Sequence, residues 1–266
     1  MAAAGTAPAA AAAAPAEPSR EEWLARFPLR VEGGKVVDAH GQRFRLKGVN
    51  WYGGSDVQHV VGGLHCRRLA DLAQGVRDMG FTVVRLPFSN QMMRPGVEPG
   101  EGSIDFALNP ELRGLGPLEV FDAVVHALGA CQVAVVPNNH CSFSAWGGEP
   151  DANGLWFCDK PCGDPPVTYS EGQFFEDWRA MARRYRGVPW VIGYDLRNEV
   201  RPVPGMPTRW PLWREDRAAP AGLPACAGAL LACAGGLLAF QGACAAGLLG
   251  GGALAACGCG LLLCKA

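Results

Sequence analysis

The chain has 266 residues, 49% of them apolar, and carries a formal net charge of -1 at neutral pH. This length and apolar content can bury a large core, while the balanced charge excludes the basic surface of a nucleic-acid-binding protein. The charges are unevenly distributed, because residues 218–264 contain no Asp, Glu, Lys or Arg. The composition therefore predicts three segments: a leader over residues 1–20, a folded part over residues 23–216 and a tail over residues 217–266.

The leader consists mostly of alanine and proline and contains no Leu, Ile, Val or Phe. Such a segment cannot bury enough apolar surface to offset the entropy lost on ordering, so it is predicted to be disordered or removed by processing. It also lacks the basic and apolar regions of a secretory signal. The compartment of the protein stays open between secretion and membrane association.

The folded part opens with a predicted hairpin. Val36 and Val37 are expected to pair with Phe44 and Leu46 across the turn "DAHG". The second strand then runs on towards Trp51, so we expect it to become the first strand of a larger sheet.

Three helices and three further strands follow in alternation. Helices are predicted in "CRRLADLAQGVRDMG", "PLEVFDAVVHALGAC" and "QFFEDWRAMARRYRG", and strands in "FTVVRLPFS", "QVAVVPNNH" and "VIGYDL". In the first two helices, the apolar residues recur at spacings of three and four: Leu69, Leu72, Val76 and Met79, then Leu118, Phe121, Val125 and Leu128. Gly80 suits the C-terminal cap of the first helix, and Pro87 is expected to break its strand.

The order β-α-β-α-β-α-β specifies a parallel sheet with helical crossovers, either open and doubly wound or closed into a barrel. No glycine-rich phosphate loop follows the first strand, which argues against a dinucleotide-binding sheet. All four strands end in polar or aromatic clusters, and barrels build their active sites at these strand ends. The fold class is therefore predicted to be α/β, a (β/α)8 barrel of the TIM type with its first four β/α units recognisable.

The strand ends carry side chains suited to carbohydrate. The converging residues are Arg85, Asn139, His140, Asn198 and Glu199, together with Trp51, Tyr52, Trp146 and Trp156. Aromatic faces stack on the apolar faces of sugar rings, Asn and His bond hydroxyl groups, and a shielded carboxyl group acts as a general acid. The pattern therefore predicts a carbohydrate site.

Four motifs, "LKGVNWYG", "GFTVVRLPFS", "NNHCSFSAW" and "IGYDLRNEV", resemble the first four strand ends of glycoside hydrolase family 5, the cellulase family. The resemblance covers roughly residues 29–213. It implies a (β/α)8 barrel that hydrolyses β-linked glucans, mannans and related glycosides with retention of configuration. The predicted activity is that of an endo-acting glucanase, and the predicted partner is a β-linked oligo- or polysaccharide.

The resemblance also implies roles for individual residues. Glu199 matches the catalytic acid/base, and Asn198 matches the residue that bonds the 2-hydroxyl of the sugar beside the scissile bond. Arg85 matches the arginine that keeps the nucleophile ionised, although an ion pair with Asp195 or Glu199 is an alternative. The residues predicted to bind substrate are Arg85, Asn139, His140, Asn198, Trp51 and Trp156. For the two tryptophans, the alternative is that they belong to the hydrophobic core.

One motif departs from the family. Where the relatives usually read Leu-Asp-Asn-His, this chain reads "VPNNH", so Asn138 stands in place of a carboxylate and Pro137 removes a strand donor. An irregular local geometry is therefore expected at this strand.

Retaining hydrolysis needs a second carboxylate about 5 Å from the acid/base. In the family this glutamate ends the seventh strand, whereas the only Glu after Glu199 here is Glu215. A whole barrel takes about 250 residues, so this sequence is expected to hold the front half without the nucleophile and to be inactive as written. The alternatives are a non-catalytic glycan-binding protein and a membrane-anchored half barrel.

The tail over residues 217–266 has three interpretations. Its uncharged stretch is long enough to span a bilayer, but it is rich in glycine and alanine and therefore weakly hydrophobic. The second interpretation is a low-complexity linker, and the third is the product of a slipped reading frame. The last is preferred, because the triplet CTG read in its three phases encodes Leu, Cys and Ala, which dominate the tail.

The cysteines and histidines do not form a recognisable metal site. Cys141, Cys158 and Cys162 flank one loop, where they either pair in an oxidising compartment or remain thiols. Neither "HCSFSAW" nor "CDKPC" has the ligand spacing of a zinc site. No metal and no cofactor is predicted.

Overall fold

The computed structural model describes residues 17–146, 153, 155–162, 167–200 and 261–262, and only the backbone of 158–162, 167 and 261–262. In chain order, the elements are α1 (Arg20–Leu24), β1 (Arg30–Glu32), β2 (Lys35–Val37), β3 (Gly48–Asn50), α2 (Leu69–Asp78), β4 (Val83–Ser89), α3 (Pro117–Ala130), β5 (Ala134–Cys141), β6 (Cys158–Cys162), β7 (Val167–Tyr169), α4 (Glu171–Arg184), β8 (Tyr194–Asp195) and β9 (Leu261–Leu262). Two short 3₁₀ turns, Gln91–Met93 and Pro110–Leu112, lie between β4 and α3.

The main sheet has the strand order β3-β4-β5-β8-β9. The first four of these strands are parallel neighbours in chain order, and α2, α3 and α4 connect them in turn. This confirms the predicted β-α-β-α-β-α-β order. β9 pairs with β8 in the antiparallel sense at the far edge, while the rest of the tail lies outside the described residues.

The hairpin before the sheet differs from its prediction. Its regular ladder joins β1 to β2 across Gly33 and Gly34, whose positive φ values of 53° and 74° suit a two-residue hairpin turn. The expected pairing beyond "DAHG" is reduced to a bridge between Val37 and Arg43. The Gly-Gly pair was the sequence signal for the regular turn, and it was missed.

Helix α1 begins at Arg20, the last residue of the predicted leader. Ser19 caps α1 by accepting a hydrogen bond from Glu22 N–H, and the Glu22 carboxylate accepts one from Ser19 N–H. This reciprocal capping box starts a helix inside the segment that was predicted to end at residue 20. Residues 1–16 of that leader lie outside the described residues.

Pro87 lies inside β4 without ending it, contrary to the prediction. The strand pairs with β5 from Val83 to Ser89. Trp51 N–H donates to Arg85 O over 3.2 Å, so the backbone groups of Arg85, and those of Pro87 two residues later, face β3. Because β3 has already ended there, the missing N–H group of Pro87 removes no hydrogen bond from the ladder.

The pairing of β5 with the segment that leads into β8 is irregular around Pro137. Val135 faces β8 with both its N–H and its C=O group, and Pro137, two residues on, faces the same way. The bridges on either side join Val135 to Val191 and Asn138 to Asp195. One extra residue is therefore accommodated on the β8 side, while the pairing with β4 stays regular as far as Asn139.

Helix α2 ends earlier than its apolar pattern suggested. Gly80 adopts φ 81°, its N–H donates to Arg77 O over 2.8 Å, and Phe81 N–H donates to Val76 O over 3.3 Å. This is a Schellman motif, and it confirms the predicted glycine cap. Met79, the last residue of the apolar repeat, is 67% exposed, because the helix ends at this cap.

Two apolar cores lie on opposite faces of the sheet. The outer core, between the sheet and its helices, includes Val76, Val124, Met181, Val84, Leu86 and Phe88. The inner core, at the N-terminal ends of the strands, includes Trp23, Phe27, Leu29, Phe44, Val83, Ala134, Val136 and Ile192. Within the described ranges, no helix combines the length and apolar character of a membrane span.

Candidate active site

The alternation of strand residues divides the polar side chains at the strand ends into two groups. On β4, Arg85 shares the inner face with the core residue Val83, and on β5, Asn138 and His140 share that face with Val136. Asn139 belongs to the opposite face. The sequence treated these residues as one rim, whereas the structure separates them into an inner and an outer network.

Arg85 is the centre of the inner network. Its Nε donates to Asp195 Oδ2 over 2.7 Å, and its terminal nitrogens donate to Asn198 Oδ1 over 2.9 Å and to Asn50 Oδ1 over 3.4 Å. Asp195 is 1% exposed, so this is a buried ion pair with further hydrogen bonds around the guanidinium. The structural ion pair with Asp195, an alternative left open by the sequence, is present.

His140 extends the inner network from β5. Its Nδ1 lies 2.9 Å from Asn138 Oδ1, and its Nε2 lies 3.4 Å from Asn198 Nδ2. Arg85, Asn198 and His140 are thus brought together as predicted. Asn138, which the sequence marked only as a departure from the family, also belongs to this network.

Glu199 follows this network directly and is exposed. Its φ of 37° lies in the left-handed region, which is unusual for a residue with a side chain and concentrates at functional sites. The preceding residue is held on the sheet, because Asn198 N–H donates to Asn139 O over 2.9 Å. An accessible carboxylate on an anchored strand end is suited to proton transfer with a bound molecule.

Arg197 is the centre of the outer network and is buried. Its guanidinium donates to five oxygens, those of the Leu155 and Asn153 carbonyls and of the Asn139, Asn90 and Ser142 side chains. It therefore ties the end of β8 to the ends of β4 and β5 and to the loop after β5. The sequence interpretation gave no role to this residue, although it stands within "LRNEV".

Asn139 is placed differently from its prediction. Its side chain is fully buried, donates to Asn90 Oδ1 over 3.1 Å and accepts from Arg197. Asn90 in turn donates to the carboxylate of Asp177 on α4 over 2.6 Å. Asn139 thus joins strands and helix beneath the rim, and its direct contact with substrate stays a prediction.

The predicted stacking faces of Trp51 and Trp156 are turned into the protein. Trp51 is 8% exposed and its indole N–H donates to Gly62 O over 2.9 Å. Trp156 is 5% exposed and packs edge-to-face against Phe174. Both tryptophans therefore lie in a hydrophobic environment, as the alternative interpretation of the sequence had it. A contact of either ring with a sugar stays a prediction.

Two other aromatic residues present open faces at the same strand ends. Tyr52, after β3, is 59% exposed, and Trp146, after β5, is 76% exposed. Their ring centroids are 6.1 Å apart in an edge-to-face arrangement. The two rings thus form an exposed aromatic pair on the loops that follow these strands.

The loop after β3 also holds two titratable groups with shifted pKa values. Burial raises the pKa of Asp56, although the backbone N–H of Gln58 and the nearby His59 act in the opposite direction. Burial lowers the pKa of His59 in spite of its contact with Glu98 O and the charge of Asp56. Burial in the loop therefore shifts the pKa of each group in the direction of its uncharged form.

No group of three or more His, Cys, Asp or Glu residues in the described part of the chain is arranged to hold a metal ion. The pairing of Cys141 with Cys158 or Cys162 stays a prediction, because the last two side chains lie outside the described residues. The expectation of no cofactor also stays a prediction.

Four consecutive parallel strands, joined by three helices and bearing a carboxylate, an arginine, a histidine and amides at their C-terminal ends, form the arrangement of the first part of a (β/α)8 barrel. The family model for Cellulase (glycosyl hydrolase family 5) matches residues 37–221. The chain therefore belongs to glycosyl hydrolase family 5.

Individual relatives agree with this assignment. An endoglucanase from Paenibacillus polymyxa is 32% identical over 64% of this chain, and the major extracellular endoglucanase of Xanthomonas campestris pv. campestris is 34% identical over 62%. The chain covers only 39% and 31% of the length of these two proteins.

Solved structures show the same partial match. The catalytic domain of the Xanthomonas endoglucanase superposes with a TM-score of 0.52 at 34% identity, over 61% of this chain and 42% of that one. A cellotetraose complex of an endocellulase from Pyrococcus horikoshii superposes with a TM-score of 0.56 at 30% identity, over 76% and 51%. The match to part of each barrel agrees with the prediction of its first four β/α units.

Proposed function

We propose that this chain provides the acid/base half of a retaining, endo-acting β-glycosidase of the cellulase type, with a β-linked glucan as substrate. The observation that carries the proposal is the inner network, in which hydrogen bonds join the buried Asp195 to Arg85 and Arg85 to Asn198, directly before the exposed Glu199. The cellotetraose bound by the Pyrococcus relative supports a β-glucan as the ligand class.

Glu199 is the proposed acid/base. It would protonate the leaving-group oxygen and then, as a carboxylate, activate water. Asn198 would bond the 2-hydroxyl group, an interaction that strengthens in the transition state of glycosidases. Arg85 holds Asn198 in place and keeps a positive charge beneath the site, and His140 would line the adjacent subsite.

Tyr52 and Trp146 are the proposed stacking platform. Their exposure distinguishes them from Trp51 and Trp156, which are buried. Gly62 keeps the platform in place: a side-chain carbon there would lie 2.5 Å from Tyr52 Cζ. We also propose secretion, since a relative is described as extracellular.

A binding experiment tests this proposal without requiring turnover. The purified chain is titrated with cellotetraose while indole fluorescence is followed, and the α-linked isomer maltotetraose serves as the specificity control. We expect saturable binding of cellotetraose in the millimolar range, because a partial cleft buries little of its ligand. Absence of binding by a demonstrably folded sample contradicts the proposal.

A pair of variants locates the site. Trp146→Ala is expected to weaken cellotetraose binding about fivefold through the loss of one aromatic contact. Met79→Ala also removes an exposed apolar side chain, but at the C-terminal end of α2, and should leave binding unchanged. Equal effects of the two substitutions would contradict the proposed platform.

A further inference from the structure

We propose that Asn138 is a positioning residue that acts through His140 to hold the amide of Asn198 in the orientation required for substrate. The inference rests on the proposed function, because it concerns the group that would bond the sugar. Its basis is a continuous chain of hydrogen bonds from Arg85 through Asn198 and His140 to Asn138.

The direction of this chain is set at Arg85. A guanidinium group has only donors, so the Asn198 atom 2.9 Å from it must be the oxygen. Asp195 holds the guanidinium in place from the other side over 2.7 Å. The amide of Asn198 therefore has one favourable orientation, with its nitrogen directed away from Arg85.

That orientation determines the tautomer of His140. Asn198 Nδ2 is a donor and lies 3.4 Å from His140 Nε2, so Nε2 must accept. A neutral imidazole that accepts at Nε2 carries its proton on Nδ1. His140 Nδ1 then donates to Asn138 Oδ1 over 2.9 Å, and one Nδ2 hydrogen of Asn198 is left for a sugar hydroxyl.

Asn138 meets the same requirement from its own side. Its Nδ2 donates to Asn139 O over 3.4 Å, which directs its oxygen to His140. The hydrogen bonds of Arg85 at one end of the series and those of Asn138 at the other thus require the same proton positions. An amide oxygen at this position accepts one hydrogen bond from the imidazole N–H group. Because it is neutral, it does not stabilise a positive charge on the ring.

A carboxylate at residue 138 would act differently. It would favour an imidazolium ring, in which Nε2 also carries a proton. That proton would face the Asn198 amide hydrogens, two donors in contact. Turning the amide would only transfer this conflict to Arg85, so one of the two hydrogen bonds of the amide would be lost. The asparagine in "VPNNH" is therefore matched to the neutral form of His140.

The ring nitrogens of His140 test this directly in the full chain labelled with ¹⁵N-histidine. Long-range proton–nitrogen spectra distinguish the two tautomers and the imidazolium form, and a His140→Gln sample identifies the signals. We expect a proton on Nδ1 and none on Nε2 at neutral pH. A proton on Nε2, alone or with one on Nδ1, overturns the inference, and this measurement needs no variant at residue 138.

Two substitutions separate positioning from a merely structural role. Asn138→Asp keeps the shape and should protonate both ring nitrogens and weaken cellotetraose binding about tenfold, the loss of one hydrogen bond. Asn138→Ser shortens the side chain, which withdraws the acceptor from His140 Nδ1 without adding a charge, so it should leave a mixture of neutral tautomers. An Nδ1-protonated neutral ring with wild-type binding in Asn138→Asp overturns the inference.

The sugar titration distinguishes this inference from the proposed function. If the wild-type protein has the expected tautomer but does not bind cellotetraose, the proposed function is contradicted. The inferred series of hydrogen bonds is then still supported. A chain that binds cellotetraose with the other tautomer contradicts the inference alone.

Discussion

At the scale of single residues, the two arginines at the strand ends have different tasks. Arg85 organises the face that bears the inner network, whereas Arg197 lies on the other side and holds neighbouring segments together. The carbonyls of Leu155 and Asn153 that accept from Arg197 come from the loop after β5. Arg197 therefore couples the position of this loop to that of the adjacent residues 198 and 199.

We expect Arg197→Met to loosen the loop and the strand end together. Loss of a buried donor group that serves five oxygens should lower the free energy of unfolding by about 3 kcal/mol. Native-state hydrogen exchange should also accelerate at Ser142 and Phe143, which donate to Asn153 Oδ1, and at Asn198, which donates to Asn139 O.

The matched control is Arg184→Met. Arg184 forms a bidentate pair with Asp122 between α4 and α3, away from the strand ends. This control should change stability without selective exchange at residues 142–143 and 198. If both variants accelerate exchange uniformly, the coupling role of Arg197 is wrong.

At the scale of elements, the glycines of α2 illustrate how position decides the effect of a side chain. Gly75 lies inside the helix, where an added methyl group would contact nothing within 4 Å. Gly80 lies at the cap with φ 81°. The same substitution therefore has opposite consequences five residues apart.

Gly75→Ala is expected to stabilise the protein by about 0.5–1 kcal/mol, because alanine loses less conformational entropy in a helix. Gly80→Ala should destabilise it by about 1 kcal/mol, because the left-handed conformation strains a residue with a side chain. Urea unfolding of both variants gives the two signs. A stabilising Gly80→Ala would contradict the Schellman geometry.

The hairpin and α1 are joined by a buried carboxylate whose charge matters. Burial alone would raise the pKa of Asp38, but hydrogen bonds from Arg26 and from the backbone N–H groups of Gln42 and His40 outweigh it. The pKa of Asp38 is therefore below its ordinary value of 3.8. The ionised form is bound more favourably in the folded state than in the unfolded chain.

We expect this group to contribute acid sensitivity. Its stabilisation is complete above the unfolded pKa and is lost as the pH falls through that value towards the folded pKa. Urea midpoints at about pH 6 and about pH 3 should differ more for the wild type than for Asp38→Asn. Glu32→Gln, at an exposed ion pair, should retain the wild-type difference.

The elements also show what sequence reasoning reaches. Periodicity identified the strands and helices of the parallel sheet, because each buries one face or both. It misplaced the end of the strand at Pro87, since the consequence of a missing N–H depends on where the neighbouring strand stops. The alternation of side chains along a strand would have placed Asn139 and His140 on opposite faces of the sheet. The burial of Trp51, by contrast, involves a tertiary contact with Gly62 that no local pattern encodes.

At the scale of the whole molecule, the bounds of the folded part at residues 23–216 stay a prediction, as do the interpretations of the tail. The described strand ends present one exposed carboxylate next to the inner network, that of Glu199. Asp195 on the same strand is buried and paired with Arg85. In the described part of these strand ends, Glu199 is available for the proposed acid/base role, and no second exposed carboxylate accompanies it.

We therefore expect a polypeptide of these 266 residues not to hydrolyse β-glucan. A retaining mechanism needs a second carboxylate about 5 Å from the first, to form the glycosyl-enzyme intermediate. A general acid alone contributes about 10²- to 10⁴-fold, far below the acceleration that a stable glycosidic bond requires. The assay is release of reducing ends from β-glucan by the purified chain, with Glu199→Ala as the control for contaminating enzyme. Activity that persists through purification and disappears in Glu199→Ala would show that another carboxylate of the chain, or a second polypeptide completing the barrel, supplies the nucleophile.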